Sequence, residues 1–163
     1  MLMRSLLAFI ALPGIFALLT PPLIAFVDPW SSGPWFPGFL LMSLGTFVLL
    51  WCIRDFYASG RGTLAPWDPP DCLVVIGLYR YTRNPMYVGV VLLVLGWALF
   101  YLSPLLLLYF AILAVYFHLR VIHNEEPWLV AQFGDHWERY RQNVPRWRPR
   151  LLPYHQDIND ERQ

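Results

Sequence analysis

The sequence predicts an all-α integral membrane fold of about four transmembrane helices, with a tight hairpin between the third and fourth and a C-terminal amphipathic helix. Three observations carry that expectation. Of the 163 residues, 57% are hydrophobic and only 14% charged, against about 25% charged in a soluble domain, so the apolar excess must face something other than water. The apolar residues gather into four runs separated by short polar or proline-marked breaks. The basic residues, all arginine, crowd into the segment between the second and third runs and the segment after the fourth. Twelve basic residues against eleven acidic leave a net charge of +1, which excludes a nucleic-acid binder of the usual strongly basic kind.

The first run, 6–27, is long enough to span but holds Pro13, Pro21 and Pro22, which remove backbone donors and bend a helix. It is expected to be retained as a bent span, because only Arg4 precedes it and no small-x-small cleavage signal closes it before Asp28-Pro29. The second, third and fourth runs cover about 37–53, 85–102 and 104–119, each near the lower length limit for a span of about 17 residues. Ser103-Pro104 is the only break between the last two, hence the hairpin. Cys52 lies in an apolar run and Cys72 in a polar loop, a pattern of neither a disulfide scaffold nor a zinc site.

Orientation follows from the arginines, which stay on the cytoplasmic side in short loops. The segment 28–36 and the Ser103-Pro104 break hold none, whereas Arg54, Arg61, Arg80 and Arg83 lie between the second and third runs, Arg120 ends the fourth and six more follow it. Both termini are therefore expected in the cytoplasm. The polar loop 54–84 and the C-terminal segment 123–163 then face the same compartment, and any chemistry belongs where they converge.

Within the loop, Gly60 to Ala65 formally fits a dinucleotide-binding G-x-G-x-x-G/A pattern, but that motif needs a strand before it and a helix after it. Here a membrane run precedes and Pro66-Trp67-Asp68-Pro69-Pro70 follows, so a flexible turn is expected. Leu73 to Ile76 reads as a strand-like stretch or a segment dipping into the interface. The stretch from Gly77 to Gly89 reads as a helix start, with Asn84 as the cap and Pro85 at the first helical position. Such a start aims unpaired N–H groups at the cytoplasm, and with Arg83 beside it forms a seat for a carboxylate or phosphate. The plainer alternative makes the arginines headgroup anchors and Tyr79, Tyr81 and Tyr87 an interfacial belt.

The fourth run ends in Arg120-Val121-Ile122-His123-Asn124-Glu125-Glu126, and acidic groups at the foot of a span are costly unless paired or hydrated. Glu125 and Glu126 differ by about 100° around a helix, so one can face the bundle and the other water. His118, His123 and Glu126 lack metal-ligand clustering, and no metal is expected. Leu129, Phe133, Trp137 and Tyr140 recur at helical spacing, making an amphipathic helix on the membrane or capping the bundle. The polar tail after Pro149 is expected to be loose.

Together the two polar segments resemble the isoprenylcysteine carboxyl methyltransferase and phospholipid methyltransferase group of integral membrane enzymes. One half of that group's pattern, G-x-Y-R-Y-x-R-(H/N)-P-x-Y-x-G, is met from Gly77 to Gly89; the other, E-E-x-x-L-x-x-x-F-G-x-x-(Y/W)-x-x-Y-x-x-x-V-P-R, from Glu125 to Arg146. The resemblance covers roughly Gly60 to Pro149. It implies S-adenosylmethionine as cofactor, with Leu73, Val74 and the ring of Tyr79 lining it, Asn84, Pro85 and Tyr87 closing around it, and Glu125 completing the site. It further implies a lipid-soluble acceptor entering sideways from the membrane lipids while the cofactor enters from the cytoplasm. O-methylation of a carboxylate is the favoured reaction, with Arg120 or Arg83 receiving the carboxylate; phospholipid amine N-methylation, with Glu126 as base, is the alternative. A nicotinamide-dependent membrane reductase and a non-enzymatic membrane protein with a degenerate site are the further alternatives. Two positions depart from the pattern: Asp71 stands where the carboxyl methyltransferases have histidine, and Val121 where they have arginine. Arg120 can replace the latter only if the helix is rotated.

Overall fold

The computed structural model describes residues 10–59 and 73–155; the glycine-containing segment from Gly60 to Ala65, together with Asp71 and Cys72, lies outside them. Every regular element among the described residues is helical. A π-helical stretch, Ile10–Leu19, runs into α1 (Thr20–Val27), followed by α2 (Phe36–Ser59), a 3-10 turn (Gly77–Arg80), α3 (Pro85–Tyr101) and α4 (Pro104–Arg120). A short π turn, Val121–Glu125, then leads into α5 (Glu126–Asn143).

This is a membrane protein. The stretch Phe36–Asp55 of α2 and the apolar part of the run beginning at Pro104 are long and apolar enough to cross a bilayer, while Gly14–Val27 and Pro85–Tyr101 are shorter apolar helices. The large side chains on the outer faces of α2 (Phe39, Leu40, Phe47) and α4 (Leu108, Ile112, Val115) are exposed, as lipid contact requires. α3 is the enclosed helix. Its Val90, Leu93 and Val94 pack with Ala17, Leu49, Leu113 and Phe117 from its neighbours.

Against α2 that packing is backbone to backbone. A Cβ at Gly38 would stand 2.7 Å from Gly96 O, and one at Gly45 would stand 2.6 Å from Leu93 N, so only glycine permits the approach. The described part of the first run is a π-helix that continues into α1. Ala17 O has proline four and five residues downstream, so it lacks a helical donor, and Phe16 O has proline at the π-helical position five downstream, so other donors are needed here. The neighbouring helices supply them: Trp97 Nε1 donates to Ala17 O at 3.0 Å and the Tyr109 hydroxyl to Phe16 O at 2.9 Å. Indole and phenol thereby satisfy acceptors that lipid could not.

The α3–α4 hairpin is tight, turning through Leu102 in the left-handed region (φ 46°). Ser103 Oγ caps α4 by accepting from Leu106 N at 3.1 Å, and donates in turn to the Asp28 carboxylate. Ser32 N and Trp35 N reach the last carbonyls of α3, at Tyr101 and Phe100, so the α1–α2 loop closes that end of the bundle.

At the opposite end Leu73–Val75 is irregular backbone rather than a strand, and two expectations are corrected. Asn84 occupies the N-cap position of α3 without a capping bond, because its Nδ2 donates to Arg146 O at 3.3 Å. The tail is not loose as far as Tyr154: Arg150 N donates to Tyr81 O and Tyr154 N to Arg80 O, both at 2.9 Å, and Arg80 Nε returns a bond to Tyr154 O at 2.7 Å. A polar strap thus runs back over the loop preceding α3.

Candidate active site

The site is assembled where the loop 78–84, the start of α3, the π turn and the strap meet. Pro85 begins α3 and is buried, which places Tyr87 within its first turn. Its ring packs on Phe117 of α4 with centroids 4.5 Å apart, and its hydroxyl donates to Glu125 Oε1. In an unbroken α-helix Arg120 and Glu125 would stand about 140° apart. The π turn between them widens the register to i→i+5, and Arg120 Nε meets Glu125 Oε1 at 3.0 Å. That local rotation lets Arg120 reach the site although Val121 beside it is buried. The group keeps access to solvent: the Arg120 and Glu125 side chains are 22% and 31% exposed.

Glu126 lies in a different setting. Arg146 grips it in a fork, Nε to Oε1 at 2.7 Å and Nη2 to Oε2 at 2.8 Å, and Arg83 Nη1 adds a third contact at 3.1 Å. Its side chain is 12% exposed. Burial alone would raise its carboxyl, but the Arg146 hydrogen bonds and the charges of Arg83 and Arg146 outweigh burial and hold it below the ordinary glutamate range. The hydrogen bonds to Glu126 raise Arg146 in turn. Arg83 is lowered by burial, against the pull of Glu126. Its guanidinium lies 5.5 Å from the centroid of the Trp137 ring, so that aromatic face meets an internal cation. Neither glutamate is therefore simply turned to water.

The strap locks the loop to this ion cluster. Arg83 N donates to Pro145 O at 3.0 Å, and Thr82 Oγ1 joins Asn84 on Arg146 O at 3.1 Å. Tyr79 sits on the other side of the loop: its carbonyl accepts from the Tyr140 hydroxyl at 2.6 Å, while its side chain lies near Cys52 of α2. Burial pushes the Tyr79 phenol well above its ordinary value. Leu73 packs against the Trp137, Tyr140 and Val144 cluster, and Val74 is buried. An open hollow of ≈ 250 Å³ lies beside the turn, lined by Val75, Ile76, Gly77, Arg80 and His155; it includes none of Tyr87, Arg120 and Glu125.

Of the residues singled out in the sequence, the fold thus joins Tyr87, Arg120 and Glu125 directly, pairs Arg83 with Glu126, and ties Asn84 to Glu126 through Arg146. Sequence reasoning gave Arg146 no role in the site, and read the aromatic face of Leu129, Phe133, Trp137 and Tyr140 as lipid contact, packing or a face for a cationic ligand. Arg146 ends the second motif, a signal that marked its position without its partner.

Residues 35–136 match the model of the phospholipid methyltransferase family. The chain belongs to that family. The matched segment contains Tyr87, Arg120, Glu125 and Glu126 and stops before Arg146. Among curated relatives, protein-S-isoprenylcysteine O-methyltransferase of Schizosaccharomyces pombe is 38% identical over 81 residues, covering 50% of this chain and 34% of that protein. The Dictyostelium discoideum protein of the same name is 28% identical over 138 residues, covering 75% of this chain and 56% of its own length. An uncharacterized protein of Haemophilus influenzae is 36% identical over 62 residues, which are 38% of this chain and 98% of that protein. This chain spans between a third and somewhat over half of the two named methyltransferases. No solved structure matches it.

Proposed function

We propose that this phospholipid methyltransferase family member transfers a methyl group from S-adenosylmethionine to a lipid-soluble acceptor, O-methylating an isoprenylcysteine-type carboxylate. The observation that carries the reading is the Tyr87–Glu125–Arg120 group, charged and partly open, at the adjoining ends of two apolar helices. The names of the two isoprenylcysteine O-methyltransferase relatives support the acceptor class.

The residues fit the cofactor. Glu125 presents a carboxylate able to accept from an ammonium or hydroxyls, and Tyr79 and Tyr87 supply aromatic faces for a cation. Among the described residues Arg83 Nε is buried without an acceptor, beside the start of α3, where a carboxylate is favoured. Leu73, Val74, Asn84 and Pro85 form the surrounding wall. Bound there, S-adenosylmethionine supplies a methyl group on a sulfonium with a neutral thioether as leaving group. The chain's part is alignment and exclusion of water, which can supply about 7 to 11 kcal/mol of a barrier in favourable cases. Tyr87 and Arg120 hold Glu125 in one orientation, and Arg120 receives the acceptor's carboxylate.

An amine acceptor would need a base. Glu126, the candidate, has its two oxygens in the fork of Arg146 and a depressed pKa, which makes it a poor proton acceptor. Its part is to position Arg83 and the strap, and carboxylate methylation is favoured over phospholipid amine methylation. The arginine distribution supports a site on the cytoplasmic side. Thiol labelling of Ser32→Cys and Ser59→Cys from opposite sides of the membrane checks that orientation; labelling from the same side contradicts it.

The reaction is tested with purified chain in lipid nanodiscs, methyl-labelled S-adenosylmethionine, and a farnesylated cysteine or phosphatidylethanolamine as acceptor. Label recovered as a base-labile methyl ester on the farnesylated cysteine is the expected result. Label on the amine alone, or faster turnover of a truncated water-soluble cysteine, overturns the reading.

A further inference from the structure

We propose that Asp55, near the cytoplasmic end of α2, is a positioning residue for the turn that carries Tyr79. The inference rests on the reading of that turn as the cofactor's wall. Asp55 is 6% exposed. Its Oδ2 accepts from Leu78 N at 3.4 Å, and it sits so close to Gly77 that a Cβ there would overlap the carboxylate. Gly77 also has φ +51°, in the left-handed region that favours glycine. Backbone conformation and the neighbouring carboxylate therefore both require glycine at the head of the motif.

Three residues earlier on the same face of α2, fully buried Cys52 lies near the side chain of Tyr79. α2 thus holds the turn by its backbone through Asp55 and borders its aromatic side chain at Cys52. Tyr140 of α5 adds a hold on the Tyr79 carbonyl. A carboxylate this enclosed is costly unless it is bonded; here it accepts from a backbone N–H of the turn. The ring assigned to the cofactor's wall is set from α2, a helix that lies outside both motifs. Removing Asp55 frees the backbone at Leu78 and lets Tyr79 turn, which weakens cofactor binding while leaving the Tyr87–Glu125–Arg120 group in place.

The test uses the full chain in a Cys72→Ser background, so that Cys52 is the sole thiol, with two readouts: the KM and kcat for S-adenosylmethionine, and the alkylation rate of Cys52 by a membrane-permeant maleimide. Asp55→Ala is expected to raise KM about tenfold, the loss of about one hydrogen bond, with kcat little changed and Cys52 alkylated faster. Asp55→Asn, which keeps an acceptor oxygen, is expected to restore both. Unchanged KM with Cys52 still protected, a fall in kcat alone, or an Asn variant no better than Ala overturns the proposal. Should Asp55→Ala fail to fold, Gly77→Ala separates turn from carboxylate by the other partner and is expected to give the same two changes; wild-type behaviour overturns the proposal. If the wild type neither binds nor uses S-adenosylmethionine, the functional reading fails by itself, and the alkylation of Cys52 in the Asp55 variants still decides the link between α2 and the turn.

Discussion

Glu125 and Glu126 are neighbours in sequence and opposites in surroundings. Glu125 takes one phenol and one guanidinium and keeps 31% of its side chain exposed; Glu126 is clasped by two guanidinium groups and keeps 12%. The first has room for a ligand. The second is filled by its own protein, and its work is to join the loop before α3, the start of α5 and the strap. Charge alone does not mark a functional carboxylate: what distinguishes the two is how much of the hydrogen-bonding capacity the fold has already used.

Breaking the closed side should cost most. Arg146→Ala removes both arms of the fork from a largely buried carboxylate, and the expected loss is about 3 kcal/mol, read by denaturant unfolding in detergent; a loss no larger than that of Glu125→Gln would erase the distinction. Acid should act on the same side. Because Glu126 titrates below the ordinary value of 4.5 when folded, its contribution is complete above that pH and is lost as the pH falls through the lower folded value. Glu126→Gln should flatten this acid limb of a stability–pH profile, and an unchanged limb would show that other groups set it. The smallest effect is expected from Trp137→Phe, which weakens the cation–π contact to Arg83 by about 1 kcal/mol and should leave cofactor affinity unaltered. A selective loss of affinity there would move Trp137 to the ligand side.

The apolar helices and the hairpin were legible because apolar runs and Ser103-Pro104 are local features, and the two motifs marked the positions of Tyr87 and Glu125. The partners were not. Arg120 reaches Glu125 only through a π turn, and nothing in Val121 to Glu125 announces that register. Arg146 lies twenty residues beyond Glu126 in sequence, too far for periodicity to connect them. Asn84 had the composition of a cap, but the Arg146 carbonyl competes for its side chain. The tail looked loose because its polar composition conceals backbone bonds to Arg80 and Tyr81. The prolines of the first run were legible, but the carbonyls beside them are met by Trp97 and Tyr109 from helices far along the chain. Asp55 and Cys52 were hidden for the same reason: they lie on α2 beside a turn more than twenty residues away.

The most direct test of the central claim is calorimetric titration of S-adenosylmethionine into the purified wild-type chain, Glu125→Gln and Glu126→Gln. Losing a charge-assisted hydrogen bond from the open carboxylate should weaken binding by about 10-fold to 150-fold in Glu125→Gln, while folded Glu126→Gln binds nearly as the wild type does. No binding by the wild type, or equal losses in the two variants, would contradict the account.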